Sequence, residues 1–365
     1  MLYYRYRTEG ELSLKELRYG EIYFSSVEEN NDPFDCKTFL VYDFSEDKWR
    51  RLFECAWKDI RLPDETISAI ATKLSKIVAN EHLRAYEDVM NFDFRIALTN
   101  CLPNNFLPIA TTLSYLIKNF IELYKPTSAY IASFSRKQNN FLMWSHYASK
   151  HRGYCLIFKD NDGYLYQDHS RITSCINGMG IGDKFSFDNI QYVSSCTPLD
   201  ASRFMGRGLS DVKFKDEDER LAFMTENYAP FYEKQICWEY EEETRLTLFK
   251  PENWICGINP GFSPDDRLLY YEPTQLVGII LGALMKEETK DRIRNIVRKN
   301  SRKLAETSRE GAMLDFVLFE ARLSSCERDV CIEPKEIYCC GSSITHNDKH
   351  FAQRFNSWQQ RYDYK

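Results

Sequence analysis

Trp238-Glu239-Tyr240-Glu241-Glu242-Glu243-Thr244-Arg245-Leu246-Thr247-Leu248 reads as a β-strand with one apolar and one acidic face. Successive side chains of a strand point to opposite faces. Glu239, Glu241, Glu243 and Arg245 then share one side, while Trp238, Tyr240, Thr244, Leu246 and Leu248 share the other. The apolar side is a core face. The acidic side sets like charges about 7 Å apart along the strand, an arrangement that a cation, a substrate or Arg245 itself has to compensate. An exposed edge strand whose charges discourage aggregation carries the same pattern, and the segment alone does not separate the two.

Outward from this strand the chain mixes strands with helices. Towards the N-terminus, strands are expected at Leu2 to Arg7, Glu21 to Ser25, Ser128 to Ser135, Tyr154 to Phe158 and Asn189 to Val193. Helices are expected at Glu9 to Leu17, Phe141 to His151 and Asp216 to Tyr228, with Gly153 capping the second. Apolar periodicity gives further helices at Ser45 to Ile60, Asp64 to Met90 and Pro108 to Tyr124, with Asp64 as an N-cap. Past the acidic strand, Gln275 to Leu281, Met285 to Lys303 and Phe316 to Leu323 form a strand-helix-strand unit. The expected fold is α+β, or mixed α/β, with a central mixed sheet and a large inserted helical segment. One domain covers 1–365, with the insertion at 45–125 and a C-terminal unit at 275–345 packed on the same core.

The composition is that of a packed globular protein: 365 residues, 43% hydrophobic and 15% aromatic, with a formal net charge of -6. The acidic balance gives no general attraction to nucleic acid, and the local basic stretch Lys286 to Arg302 mixes signs at helical spacing and reads as a solvated helix face. No apolar run approaches the roughly 18 residues of a membrane span, and Met1-Leu2-Tyr3-Tyr4-Arg5 lacks the layout of a signal peptide. A soluble cytoplasmic protein is expected. The 12 cysteines include no Cys-x-x-Cys pair and read as free thiols. Cys326, Cys331, His346 and His350 approximate a zinc spacing, but the strand-like Ile337-Tyr338-Cys339-Cys340 between them argues against a shared metal, and none is expected. A Gly-rich phosphate loop, His-Glu-x-x-His and Gly-x-Ser-x-Gly are all absent, which disfavours P-loop hydrolysis, zincin proteolysis and ordinary serine hydrolysis.

Polar residues gather in three sequence clusters. One holds Tyr4, Arg5 and Tyr6 with Ser25 and the turn-rich Asn31-Asp32-Pro33-Phe34-Asp35; the second holds Ser133, Ser135, Trp144, His146 and Tyr147; the third is the acidic strand. Each lies at a strand end or a helix start, where α/β proteins collect their sites. Ser133 and Ser135 present two hydroxyls on one strand face, suited to a ribose or a phosphate. Met143, Trp144 and Tyr147 recur at helical spacing and are expected to pack as core. The clusters are expected to converge on one cleft.

These segments carry a resemblance. Leu2-Tyr3-Tyr4-Arg5-Tyr6-Arg7, Ile22-Tyr23-Phe24-Ser25-Ser26 with Asn31 to Asp35, Ser133-Phe134-Ser135 with Met143 to Tyr147 and Gly153-Tyr154-Cys155, and Lys234 with Trp238 to Arg245 together resemble the bacterial domain-of-unknown-function family 2971. With Ile279-Ile280-Leu281-Gly282 the likeness spans roughly positions 2 to 282. It implies an effector or toxin role in antiviral defence, with a partner protein from the same locus.

The chain is also distantly similar to ADP-ribosyltransferases, which order an Arg or His on the first strand, a Ser-bearing strand, and a late strand with Glu. Arg5, then Ser133 and Ser135, then Glu241-Glu242-Glu243 follow that order. The similarity implies NAD as the cofactor, a protein or nucleic-acid target, and Glu243, Glu241 and Arg5 as catalytic residues. Tyr4, Tyr6, Ser25, Asn31, Asp32, Ser133, Ser135, His146, Tyr147 and Arg245 would then line the NAD site. The chain lacks a plain Ser-Thr-Ser, and Phe24-Ser25-Ser26 could fill the same role. Two other readings stand beside it: a non-catalytic sensor or interaction module, and a Mg-dependent nuclease built on Asp32, Asp35, Glu241 and Glu243.

Overall fold

Strand β1 (Leu2–Arg7) lies inside a nine-stranded sheet that organises the molecule. The computed structural model describes residues 1–56, 63–81, 83, 86–103, 107–123, 129–171, 184–196, 198–200, 202, 216–249, 263–307, 314–326 and 329–364. Ile60, Tyr124 and Ser128, the expected ends of three elements, lie outside these residues. Short pairs accompany the sheet: β2 (Glu21–Tyr23) with β13 (Leu268–Tyr270), β3 (Leu40–Val41) with β10 (Leu199–Asp200), β6 (Tyr164–Tyr166) with β7 (Lys184–Ser186), and β9 (Gln191–Val193) with β11 (Glu233–Gln235). The large sheet itself adds β4 (Ala129–Ser135), β5 (Tyr154–Lys159), β8 (Asp188–Asn189), β12 (Glu243–Phe249), β14 (Leu276–Leu281), β15 (Phe316–Leu323), β16 (Val330–Cys339) and β17 (Ser342–Thr345). Its order is β17-β16-β15-β14-β5-β1-β4-β12-β8. Only β14 and β15 pair in parallel within it, so the sheet is mixed and the fold is α+β.

Alternation fixes which residues meet on each face. On β12, Thr244, Leu246 and Leu248 stand opposite Phe134, Ala132 and Tyr130 of β4, and the apolar members join the core with Tyr3, Tyr154, Leu156 and Phe158. Helix α1 (Glu11–Tyr19) covers this face through Leu14 and Leu17. The opposite face takes Leu2, Tyr4, Tyr6, Cys155 and Ile157. Helices α2 (Glu46–Ala56), α3 (Asp64–Asn80), α4 (Tyr86–Asn91), α5 (Phe94–Cys101) and α6 (Ile109–Leu123) form an apolar cluster of their own around Trp49, Phe53, Leu74 and Phe94.

Several local expectations are corrected. Asp64 is the first helical residue, after Pro63 at the N-cap, and α4 is separate from α3. Helix α7 spans Phe141–Tyr147 and ends at Ala148, while Ser149, Lys150 and His151 all take positive φ. Gly153 is required by close approach, because a Cβ there would lie 2.1 Å from the Arg7 carbonyl oxygen. The expected strand at Asn189 to Val193 is divided between β8 and β9. Helix α8 (Glu217–Tyr232) precedes β11, α9 (Glu287–Thr307) joins β14 to β15, and an unanticipated α10 (Phe351–Tyr362) buries Phe351 and Trp358. No helix among the described residues is long and apolar enough to cross a membrane.

Candidate functional site

The main correction concerns the acidic segment. Ile236–Glu241 is a 3₁₀ turn, Glu242 adopts the left-handed conformation at φ 43, and β12 starts only at Glu243. Glu239 is consequently exposed and does not share a strand face with Glu241 and Glu243. The turn nevertheless returns Glu241 to Glu243, because both carboxylates reach Lys234 on β11.

The sheet opens beside these residues. β1 and β4 pair at one position, Tyr4 opposite Ser135. Further along, Ser25 bridges to Ile131 of β4 through reciprocal backbone bonds of 2.8 and 2.9 Å. A cavity of about 250 Å³ occupies the opening and is lined by Tyr4, Arg5, Tyr6, Ser25, Asn31 and Ser133, among others. Asp35, Ser135, Tyr147, Lys234, Glu241 and Glu243 line it as well, with Arg7, Glu29 and Asn30.

Arg5 reaches across the gap. Its Nη1 donates to the Ser133 carbonyl at 3.1 Å and its Nη2 to the Tyr23 carbonyl at 3.3 Å. These bonds replace the ladder contacts that the diverging strands lack. The side chain is 6% exposed, lies over the Phe134 ring, and its Nε has no hydrogen-bond partner. Among the described residues Arg5 makes no ion pair with a carboxylate, and burial, reinforced by Arg7 and opposed by Glu16, lowers its pKa to about 10.

The other wall is a dense ion network. Lys234 Nζ donates to Glu241 Oε2 at 2.6 Å and Glu243 Oε2 at 3.0 Å, and stands 3.7 Å from Asp35 Oδ2. Arg245 Nε donates to Glu243 Oε1 at 2.7 Å, and its Nη2 donates to Glu243 Oε2 at 3.0 Å and to both Asp35 oxygens at 2.7 and 2.9 Å. Its Nη1 donates to Cys36 Sγ and the Phe231 carbonyl. Asp35, Glu241 and Glu243 therefore outnumber Lys234 and Arg245 by one charge.

The two glutamates differ in state. Burial pushes Glu243 upward, but Arg245 and Lys234 overcome it and hold the carboxyl at about 2. Burial raises Glu241, with Lys234 opposing and Glu243 adding to the rise. Tyr147 donates its hydroxyl to Glu241 Oε1 at 2.6 Å and accepts from Asn31 Nδ2 at 3.2 Å; burial raises this phenol too, with Glu241 adding. Glu242 turns away and pairs with Lys137.

The structure thus brings Arg5, Tyr4, Tyr6, Ser25, Asn31, Ser133, Ser135, Tyr147, Glu241 and Glu243 to one cavity. Their availability differs. Ser135 is committed, donating to the Glu241 carbonyl and accepting from the Lys137 amide, whereas Ser133 is exposed on the cavity lining. Arg245 lies fully buried behind Glu243. His146 is exposed and outside the lining, and Asp32 lines a neighbouring cavity. Trp144 is fully enclosed, its Nε1 donating to the Gln138 carbonyl. Lys234 had no assigned role; its place depends on β11 pairing with β9 and on the 3₁₀ turn, and no spacing signal marks it. Asp35 was anticipated in the first polar cluster and as a metal ligand, yet its carboxylate is taken by Arg245.

Comparison with curated proteins and with solved structures returns no match. The residues from Met143 through α7 to Leu246 on β12 hold Tyr147, Lys234, Glu241 and Glu243 of the cavity wall, with Arg245 buried behind them. This stretch, residues 143–246, matches the family model described as Protein of unknown function (DUF2971).

Proposed function

We propose that the opening between β1 and β4 is the active site of an ADP-ribosyltransferase-like enzyme that uses NAD, acting as a phage-defence effector or toxin on a protein or nucleic acid. The supporting observation is the polarity of the cavity: a buried guanidinium with no ion pair to a carboxylate among the described residues lines the same cavity as Asp35, Glu241 and Glu243. A ligand with phosphates at one end and a cationic ring on a ribose at the other complements both. The cavity, at about 250 Å³, is smaller than the roughly 300–1,000 Å³ of drug-sized sites and suits one half of a dinucleotide.

NAD supplies an ADP-ribosyl group by cleavage of its nicotinamide–ribose bond. On this reading Arg5 balances phosphate charge, and the Ser133 and Ser25 hydroxyls meet the sugar. Glu241, raised by burial and bonded to Tyr147, holds or moves a proton. Glu243 stays ionised and contributes negative charge beside a sugar that becomes cationic. Because Arg245 and Lys234 saturate Glu243, we assign it the orienting role and Glu241 the direct one.

That saturation also favours a second reading, a sensor that binds its ligand without turnover. The nuclease reading is weakened, since side-chain cations occupy the carboxylates that a metal would need. The test is release of nicotinamide from NAD by purified protein with cell lysate as acceptor source. Glu241→Gln is expected to lower release by roughly 10²-fold or more, with Glu242→Gln unchanged. NAD binding without release supports the sensor, and absence of binding overturns both.

A further inference from the structure

Among the described residues no three His, Cys, Asp or Glu side chains gather to hold one metal ion, so the spacing of Cys326, Cys331, His346 and His350 does not become a zinc site. A thiol pair forms instead at the far end of β16. Cys339 closes that strand, Ser342 opens β17, and the two residues pair across a hairpin whose turn is Cys340-Gly341. Both turn residues have positive φ, 52 and 74, as a type I′ turn requires. Asn-Gly is the favoured pair there, and a cysteine in the left-handed region is uncommon. The consequence lies in the side chains. Successive residues of a strand point to opposite faces, but the left-handed backbone of Cys340 turns its side chain back, and the two Sγ atoms stand 3.8 Å apart.

The turn is braced from behind. The Gly341 amide donates to Ser301 Oγ at 3.2 Å, and a Cβ at Gly341 would lie 2.9 Å from Cβ of Arg302, so the turn sits directly on α9. Burial raises the Cys339 thiol and Cys340 adds to the rise, while Arg354, itself bonded to Asp315, favours the thiolate. Cys339 is half-buried and Cys340 exposed, so the pair is open to solution. Two metal–sulfur bonds of about 2.3 Å span the thiol separation at a bent angle, and one ion can bridge the pair with little movement. Thiolates select soft ions, chiefly zinc, iron–sulfur clusters and Cu(I). Zinc and iron–sulfur sites take three or four protein ligands. This turn supplies two, a number that suits Cu(I).

We propose that Cys339 and Cys340 form a surface site for Cu(I), held as a bis-thiolate at the β16–β17 turn. Binding releases the two thiol protons and leaves the oxidation states of copper and sulfur unchanged. The site is independent of the NAD reading. It is tested by anaerobic titration of the reduced full chain into the Cu(I)–bicinchoninate complex, whose absorbance falls as copper is withdrawn. The parent is expected to withdraw one Cu(I) per chain that Cys339→Ser and Cys340→Ser each leave with the chelator, and the Cys326→Ser, Cys331→Ser double variant is expected to match the parent. Circular dichroism of each variant confirms that the fold is retained. Withdrawal by Cys340→Ser equal to that of the parent overturns the proposal. Equal loss in the Cys326→Ser, Cys331→Ser variant also overturns it, because the effect then belongs to exposed thiols in general. Zn²⁺ held by the same pair as tightly as Cu(I), read with a zinc indicator, overturns the choice of ion.

Discussion

Arg245 and Arg5 are both buried guanidiniums in one sheet, and they are satisfied in opposite ways. Arg245, with no exposed surface, donates from all three nitrogens to Glu243, Asp35, Cys36 and the Phe231 carbonyl. Among the described residues Arg5 has two carbonyls, an idle Nε and no carboxylate. A charge removed from water without a partner is costly. The first arginine closes a structural network; the second is held by carbonyls alone.

The largest expected effect comes from breaking the satisfied side. Arg245→Met strands Asp35 and Glu243 in the interior and should cost about 3–5 kcal/mol in denaturant unfolding, and Arg245→Lys should not restore it, because an ammonium cannot reproduce the planar fork. A variant within about 1 kcal/mol of the parent would erase the distinction drawn here.

Next is the acid limb of stability. Glu243 sits at about 2 in the folded chain against an ordinary 4.5, so its contribution is full above pH 4.5 and is lost as pH falls towards 2. Glu241 is raised, so its contribution is full below 4.5 and is lost as pH rises through the folded value. Glu243→Gln should flatten the acid decline, and Glu241→Gln should remove the opposite slope above pH 4.5. Unfolding measured across pH 2 to 8 separates them, and identical profiles would mean the two carboxylates share one environment.

Arg5→Met is expected to cost less than Arg245→Met, about 1–3 kcal/mol, because it strands only the Ser133 and Tyr23 carbonyls. It should weaken NAD binding by about tenfold or more in calorimetry. A larger stability loss than that of Arg245→Met would invert the comparison. The smallest effect is at Glu242, whose partly exposed pair with Lys137 should make Glu242→Gln cost about 0–1 kcal/mol; a greater loss would show that the pair anchors the turn.

Much of the scaffold was legible. The limits Leu2–Arg7 and Phe316–Leu323 match the expected strands residue for residue, since alternation and β-branched or aromatic content act locally. The parallel β14–α9–β15 unit was legible for the same reason. The acidic segment misled because Glu242 takes a left-handed conformation that strand periodicity does not anticipate, so alternation holds from Glu243 onward and fails before it. Asp35 gained its role through a contact with Arg245 about two hundred residues away in the chain, and Lys234 through the 3₁₀ turn that brings Glu241 and Glu243 back to it, neither of which a strand pattern encodes.

By itself the sequence determined the α+β class, most element positions, and the residue types that line the opening, because side-chain periodicity and turn chemistry are local properties. Only the tertiary structure decided that β1 and β4 diverge after Tyr4 and Ser135, that Arg5 spans the gap unpaired, and that Lys234 and Arg245 claim the carboxylates. Those outcomes depend on which strands become neighbours and on how burial strengthens charge pairing, and both are settled when the chain packs.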